Sequence, residues 1–286
     1  MGFEVNQGLD SCFIVSIVLK FLNAILLNKN VMFKFIDDES YILGFNVARS
    51  DERSLLQPLQ LVEELEVSEI DILKLSCKNP LPDLFSKLDR LNLKYYVLGI
   101  TQEYKSFFTR ILSPKKYLHS DIEFIEFTLD KKQELMSLVK AIFKNNAASY
   151  FNNPALVNFI DDEKQLECLA VYIATFSKEL DENKYTHLMY LHGNPVGFVT
   201  SYREGTGGGV LYAGILEEYV GRGYYIDLVR FIQNYGKAIG QKWGLAYAQI
   251  HHTTVQKTFI KEGLIPQGYV LNIHVNCGFG KLKHLI

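Results

Sequence analysis

"VLYAGILEEYVGRGYYIDLVRFIQ" occupies residues 210–233 and contains the junction on which the fold turns. An apolar, strand-like run (210–216) gives way to Gly221, Arg222 and Gly223, and an amphipathic, helix-like stretch begins at once with Tyr224. A strand entering a helix through closely spaced glycines can aim several backbone N–H groups at one spot, as a phosphate requires. The same glycines serve an ordinary tight connection, because glycine is the usual residue where φ is positive. The order of the surrounding elements has to separate these two cases.

Upstream, "THLMYLH" (186–192) and "VGFVTSY" (196–202) read as a strand pair joined by "GNP", "TGGG" (206–209) as the next turn, and 210–216 as the third strand of a meander. Before them come a strand at 122–129, a helix at 131–145, the loop "NNAASYFNNPAL" (145–156) and a helix at 162–180. Downstream, "LAYAQI" (245–250) is a strand, 254–262 a short helix and "GYVLNIHV" (268–275) a final strand. The first part of the chain alternates strand-like runs at 31–36, 41–48, 71–77 and 93–100 with helices at 53–65 and 81–92, where Pro82 suits a first turn. Residues 103–121 read as a connection, which places a domain boundary between 112 and 122: an α/β unit over 1–115, then a second domain over 116–286.

Composition narrows the function classes. With 48% hydrophobic and 22% charged residues, the 286-residue chain can bury a real core. A formal charge of −2 and scattered basic residues argue against nucleic acid as a partner; "SPKKYLH" and "KLKH" read as solvated surface. Cys12, Cys77, Cys168 and Cys277 are far apart and form no CxxC pair, which suits a reducing cytoplasm. The apolar run at 12–27 is interrupted by Lys20 and Asn23 and is shorter than the roughly twenty residues a span needs, so a buried helix is expected rather than a membrane anchor.

Two helices, a three-strand meander, a glycine turn into a helix, then strand, helix and strand: over about 122–276 this order resembles the Gcn5-related N-acetyltransferase (GNAT) superfamily. The resemblance implies a mixed, largely antiparallel α/β sheet flanked by helices and preceded by a smaller, degenerate α/β domain. It also implies acetyl-CoA, or another acyl-CoA, as co-substrate. The family loop Q/R-x-x-G-x-G/A, whose amides hold the CoA pyrophosphate, falls on Val220, Gly221, Arg222, Gly223, Tyr224 and Tyr225. Gly223 matches, whereas Val220 and Tyr225 depart from the pattern. The pantetheine arm would pair with an exposed strand edge at Gly214, Ile215 and Leu216. The stretches "HHTTVQKTFIKEG", "SYFNNPA" and "YILGFNVARS" further resemble the dTDP-fucosamine acetyltransferase group, which implies an amino-sugar nucleotide as acceptor.

Acyl transfer to an amine needs alignment, a polarised carbonyl, a base for the ammonium and a proton for the leaving thiolate. The base candidates are Glu217 and Glu218, of which at most one faces the site because neighbours on an extended chain point opposite ways; Glu218 is the chosen one, and two solvated loop acids are the alternative. Where the family often has a tyrosine acid this chain has Phe259, which cannot donate a proton. Tyr269, His251 and His252 are the substitutes, with His252 and Tyr269 preferred. Tyr150, Asn152 and Asn153 suit sugar recognition, although asparagines and aromatics also serve plain loops. No metal site is expected, since adjacent histidines rarely converge and no third ligand is suitably spaced. The expected partner is a small-molecule amine, and a homodimer is left open. A non-catalytic descendant that binds CoA or a protein, or an acyltransferase for an amino acid or polyamine, remains the alternative.

Overall fold

The computed structural model describes residues 32–36, 46–78, 82–144 and 162–280. The expected N-terminal helix and the loop bearing Tyr150, Asn152 and Asn153 lie outside them. Among the described residues, one mixed sheet of ten strands is flanked by helices. In chain order these are β1 (Lys34–Phe35), β2 (Val47–Ser50), α1 (Pro58–Val67), β3 (Ile72–Cys77), α2 (Leu84–Arg90), β4 (Lys94–Phe107), β5 (Ile122–Glu126), α3 (Lys132–Phe143), α4 (Asp162–Ala174), β6 (Lys184–Leu191), β7 (Asn194–Glu204), β8 (Gly207–Ile215), α5 (Tyr224–Ala238), β9 (Trp243–Gln249), α6 (Thr253–Lys261) and β10 (Ile265–Asn276). Across the sheet the order is β1-β2-β3-β10-β4-β9-β8-β7-β6-β5.

Strand β4 precedes the 112–122 boundary, yet it lies between β10 and β9 and pairs antiparallel with both. Expected to stop near residue 100, it runs to Phe107. The extension was hidden because Gln102, Tyr104 and Ser106 are buried on one face while Glu103, Lys105 and Phe107 occupy the other. Polar residues on both faces of a strand carry no simple hydrophobic alternation.

Alternation along β6 shows how the layers form. Leu188 and Tyr190 pack with Leu135, Val139 and Ile173 of α3 and α4, whereas Met189 and Leu191 pack with Leu228 of α5. On the N-terminal side, Leu61, Leu65, Leu84 and Leu88 of α1 and α2 cover Leu73, Leu75, Ile273 and Val275. Pro58 opens α1 where no intrahelical N–H is needed. The β6–β7 turn is His192-Gly193 rather than "GNP": φ is 51° and 78° at these two residues, the geometry of a two-residue hairpin turn. "TGGG" is likewise mostly strand, since Gly207 to Gly209 belong to β8. A Cβ at Gly207 would stand 2.1 Å from the Trp243 ring, so close packing demands glycine there. No described helix is long and apolar enough to cross a membrane.

Candidate active site

Strands β8 and β9 run parallel but pair at one position only, Gly209 with Leu245. Beyond it they diverge. A bulge accompanies the divergence: Ser201 pairs with Val210 and Thr200 with Tyr212, leaving Leu211 as the extra residue. Thr200, fully buried, pins the bulge by accepting from Tyr212 N–H at 3.0 Å and donating to Tyr212 O at 3.3 Å. A small, mostly apolar cavity lies at this opening. Val210 and Ala213 of β8, Ala246 of β9, Tyr225 and Val229 of α5, and Phe259 of α6 line it.

The glycine loop lies at the end of β8. A short 3₁₀ turn (Glu217–Tyr219) leads to Gly221 at φ 80° and to Gly223, the N-cap of α5, at φ 94°. Both conformations favour glycine. Helical bonding starts with Ile226 N–H to Gly223 O at 2.9 Å, so Gly223, Tyr224 and Tyr225 form the open end of the helix, while the Val220 and Arg222 N–H groups donate back to Glu217 O and Tyr219 O at 3.0 and 3.4 Å. Arg222 is exposed. Tyr225, bulky for its place in the loop, turns into the cavity wall and lies 6.4 Å from the Phe259 ring.

A strap, residues 111–119 between β4 and β5, crosses this helix. Asp227, Arg230, Asn234 and Lys237 share one face of α5, and each binds linker backbone. Lys237 Nζ donates to Ile111 O and to Leu112 O, the latter at 3.2 Å. Asn234 takes both the N–H and the C=O of Lys115, at 2.8 and 2.9 Å, and Arg230 donates to Lys116 O at 2.8 Å. Buried Asp227 accepts from Leu118 N–H at 2.5 Å and His119 N–H at 3.2 Å, with His119 Nδ1 2.7 Å away. Glu262 of the turn after α6 joins in, bound by Arg230 and by Lys115; burial raises its carboxyl, but these two cations outweigh it and hold the group below its ordinary value. The segment read as solvated surface is indeed mostly exposed, and its backbone is at the same time bound along a helix. It ends at the glycine loop, where the His119 ring stacks on Tyr224 at 3.9 Å and Leu118 Cδ1 would lie 3.2 Å from a Cβ on Gly223.

The candidate residues fall in different surroundings. Gly221, Arg222, Gly223, Tyr224 and Tyr225 form one loop and helix start, and Glu217 and Glu218 stand exposed in the turn before it. Gly214 lies under α3, where a Cβ would meet Ile142 at 2.6 Å; Ile215 is buried beside α5, and Leu216 packs with the α3–α4 cluster. His252 caps α6, its ring 4.3 Å from that of exposed His251, and burial followed by the neighbouring His251 lowers its pKa. Tyr269 is exposed on β10. Phe259 is a core residue, edge-on to Tyr104 at 5.2 Å.

Sequence reasoning passed over Tyr104, Glu103, Tyr202 and Tyr247. Tyr104 donates to Gln256 Oε1 at 3.1 Å and stands beside Phe259, its phenol pushed up by burial and then by Tyr269. Tyr247 lies opposite Glu103 on β9; burial, followed by the Glu103 charge, raises its phenol. The register of β4 against β9 brings Glu103 and Tyr247 together, and neither strand contains that register in its own sequence. Among the described residues, no three metal-ligating side chains converge.

No family profile and no curated protein matches the sequence. Solved structures do match, and they show the fold: the chain has the fold of the GCN5-related N-acetyltransferases. It aligns with the GCN5-related N-acetyltransferase of Sphaerobacter thermophilus at TM-score 0.55 and 11% identity, covering 81% of this chain and 73% of that one. A functionally unknown conserved protein of Staphylococcus epidermidis ATCC 12228 aligns at 0.53 and 18%, covering 81% and 84%. A tandem GNAT protein from the clavulanic acid biosynthesis pathway aligns at 0.51 and 8%, covering 81% and 75%.

Proposed function

We propose that the protein is an acyl-CoA-dependent N-acyltransferase that moves an acyl group, acetyl in the simplest case, onto a primary amine of a small acceptor. The observation that carries this is the opening between β8 and β9, with its single bridging pair and its bulge at Leu211. An arm inserted there finds unpaired strand edges for its amides and an apolar cavity for its methylenes. The loop from Gly221 to Tyr225 supports the diphosphate end, through the positive end of α5 and the Arg222 charge. The chain's part in catalysis is alignment of donor and amine at the opening, exclusion of water by the apolar walls, and acceptance of the ammonium proton. An amino-sugar nucleotide is the acceptor to screen first, on the strength of the resembling stretches "HHTTVQKTFIKEG" and "YILGFNVARS".

A second reading has its own support. Leu118 and His119 lie over Gly223, the Asp227 carboxylate sits in the first turn of α5, and Phe259 brings no proton to the thiolate. These features suit a descendant that keeps the fold and binds CoA or a protein without turnover.

Calorimetric titration with acetyl-CoA and CoA tests the first reading. Replacement of Gly223 is a poor control, because φ of 94° and the two strap side chains would strain any substitute. Arg222→Glu is cleaner, since Arg222 is exposed. Micromolar binding by the wild type, weakened about tenfold or more in Arg222→Glu, is expected from the charge-assisted contact. No binding, or equal binding by both proteins, removes the phosphate role of the loop. Turnover with bound acetyl-CoA and an amino-sugar nucleotide separates the enzyme from the non-catalytic descendant.

A further inference from the structure

The sheet face opposite α5 and α6 is polar at the head of the opening. Tyr104 and Ala246 point toward α6, so Glu103 and Tyr247, the next residues on their strands, point the other way. Glu103 Oε2 lies 2.9 Å from Lys78 Nζ, and Tyr247 stands directly opposite Glu103 across the β4–β9 pair. The partners differ in exposure: the Glu103 side chain is 13% exposed and that of Lys78 60%. The carboxylate is fixed in the sheet, and a primary ammonium reaches it from the solvent side on a flexible stem. Tyr202 completes the arc. Because Gly209 has no side chain, the Tyr202 phenol lies across it, its oxygen 2.8 Å from where a Cβ would stand, over the pair from which β8 and β9 diverge. Tyr247 is two residues beyond that pair, and Glu103 is one strand further, about 4.8 Å away in the sheet.

We propose that Glu103 is the seat of the acceptor's ammonium group and that Lys78 holds this seat until the acceptor displaces it. This rests on the N-acyltransferase reading and gives it a residue. A strand from the first half of the chain supplies the anion, and the resident ammonium shows which chemistry the seat accepts. An ion pair with so exposed a lysine is worth little, so exchange for another primary ammonium is easy. In the step, the ammonium gives one proton to the Glu103 carboxylate, which later passes it to solvent. The nitrogen lone pair forms the C–N bond as the C–S bond breaks. The thiolate leaves with that electron pair and takes up the second proton lost by nitrogen. The sum is ammonium plus thioester to amide, thiol and one proton.

Two measurements on the full chain test this. The first needs no acyl donor: thermal unfolding of Lys78→Met with about 10 mM 1,3-diaminopropane, against tetramethylammonium chloride at matched ionic strength. A rise of about 2–4 °C is expected with the diamine alone, and none in Lys78→Met with Glu103→Gln added. No rise in Lys78→Met, or an equal rise in the double variant, overturns the seat. The second measures thiol release from acetyl-CoA with the same diamine. Lys78→Met should lower KM for the amine several-fold, and Glu103→Gln should slow release about 100-fold with acetyl-CoA affinity unchanged. Release within twofold of wild type in Glu103→Gln overturns the proposal. Failure of the wild type to bind acetyl-CoA would end the acyltransferase reading, while the diamine measurement would still decide the ammonium seat.

Discussion

Strand β9 has two edges, and they are built differently. Toward β4 it is closed by seven paired positions, from Thr101 with Gln249 to Phe107 with Trp243. Toward β8 it is held at one, Gly209 with Leu245. The difference does not come from β9, whose residues serve both edges. The closed side is antiparallel, filled by a strand from the other half of the chain and backed by Phe259 against Tyr104. The open side faces a parallel neighbour whose bulge at Leu211 turns it away. A cleft in the middle of a sheet is therefore made by direction and register, with the closed edge as the rigid wall against which the open one is held.

The largest effect comes from breaking that wall. Phe259 is 5% exposed and packs between Tyr104 of β4 and Tyr225 of α5. Phe259→Ala removes an aromatic ring from a site braced on both sides and should cost about 3–5 kcal/mol, read as a fall in the urea midpoint at unchanged slope. A loss below about 1 kcal/mol would mean that the closed edge does not rest on this contact.

How much of this was visible beforehand follows the same division. The element order from β5 to β10 and the glycine loop could be read, because they depend on local periodicity and on residues that tolerate positive φ. The place of β4 could not, because a strand's sequence does not name its partners and Glu103, Lys105 and Phe107 obscured its alternation. The bulge had a trace, a buried Thr200 in an apolar strand, which means something only once Tyr212 is known to lie opposite. "SPKKYLH" was rightly read as solvated, but its binding along α5 was not legible, because Asp227, Arg230 and Asn234 lie more than a hundred residues away. Tyr150, Asn152 and Asn153 fall outside the described residues.

Protons probe α5 on the far side of the opening. His187 of β6 is buried edge-on to Phe231 at 4.8 Å and Tyr235 at 4.4 Å, and burial, assisted by the Lys178 charge, lowers its pKa from 6.5 to about 4. The unfolded chain then binds the extra proton at a higher pH than the fold does. Stability is full above about pH 6.5 and is lost as pH falls toward 4, by about 3 kcal/mol from this residue. His187→Leu should remove most of that slope in urea titrations between pH 7 and 4. Burial also lowers His274 and His252, which keep a remainder. An unchanged slope would place the acid response elsewhere.

The smallest effect bears most directly on the open edge. Asp227 serves two arrangements at once: its carboxylate holds the Leu118 and His119 amides, and its charge lies in the first turn of the helix whose N-terminus the proposal gives to a diphosphate. In Asp227→Asn one oxygen still accepts, but an NH₂ now faces backbone N–H groups and the charge is gone. The fold should lose about 1.5–3 kcal/mol, as charged hydrogen bonds do. CoA affinity should move the opposite way, rising about two- to fivefold as the competing anion leaves the helix end. Stability and affinity changing in opposite directions would separate strap from loop and assign the helix N-terminus to the ligand. Affinity falling together with stability would mean that the strap is part of the wall of the opening, and that Leu118 and His119 belong to the donor site rather than covering it.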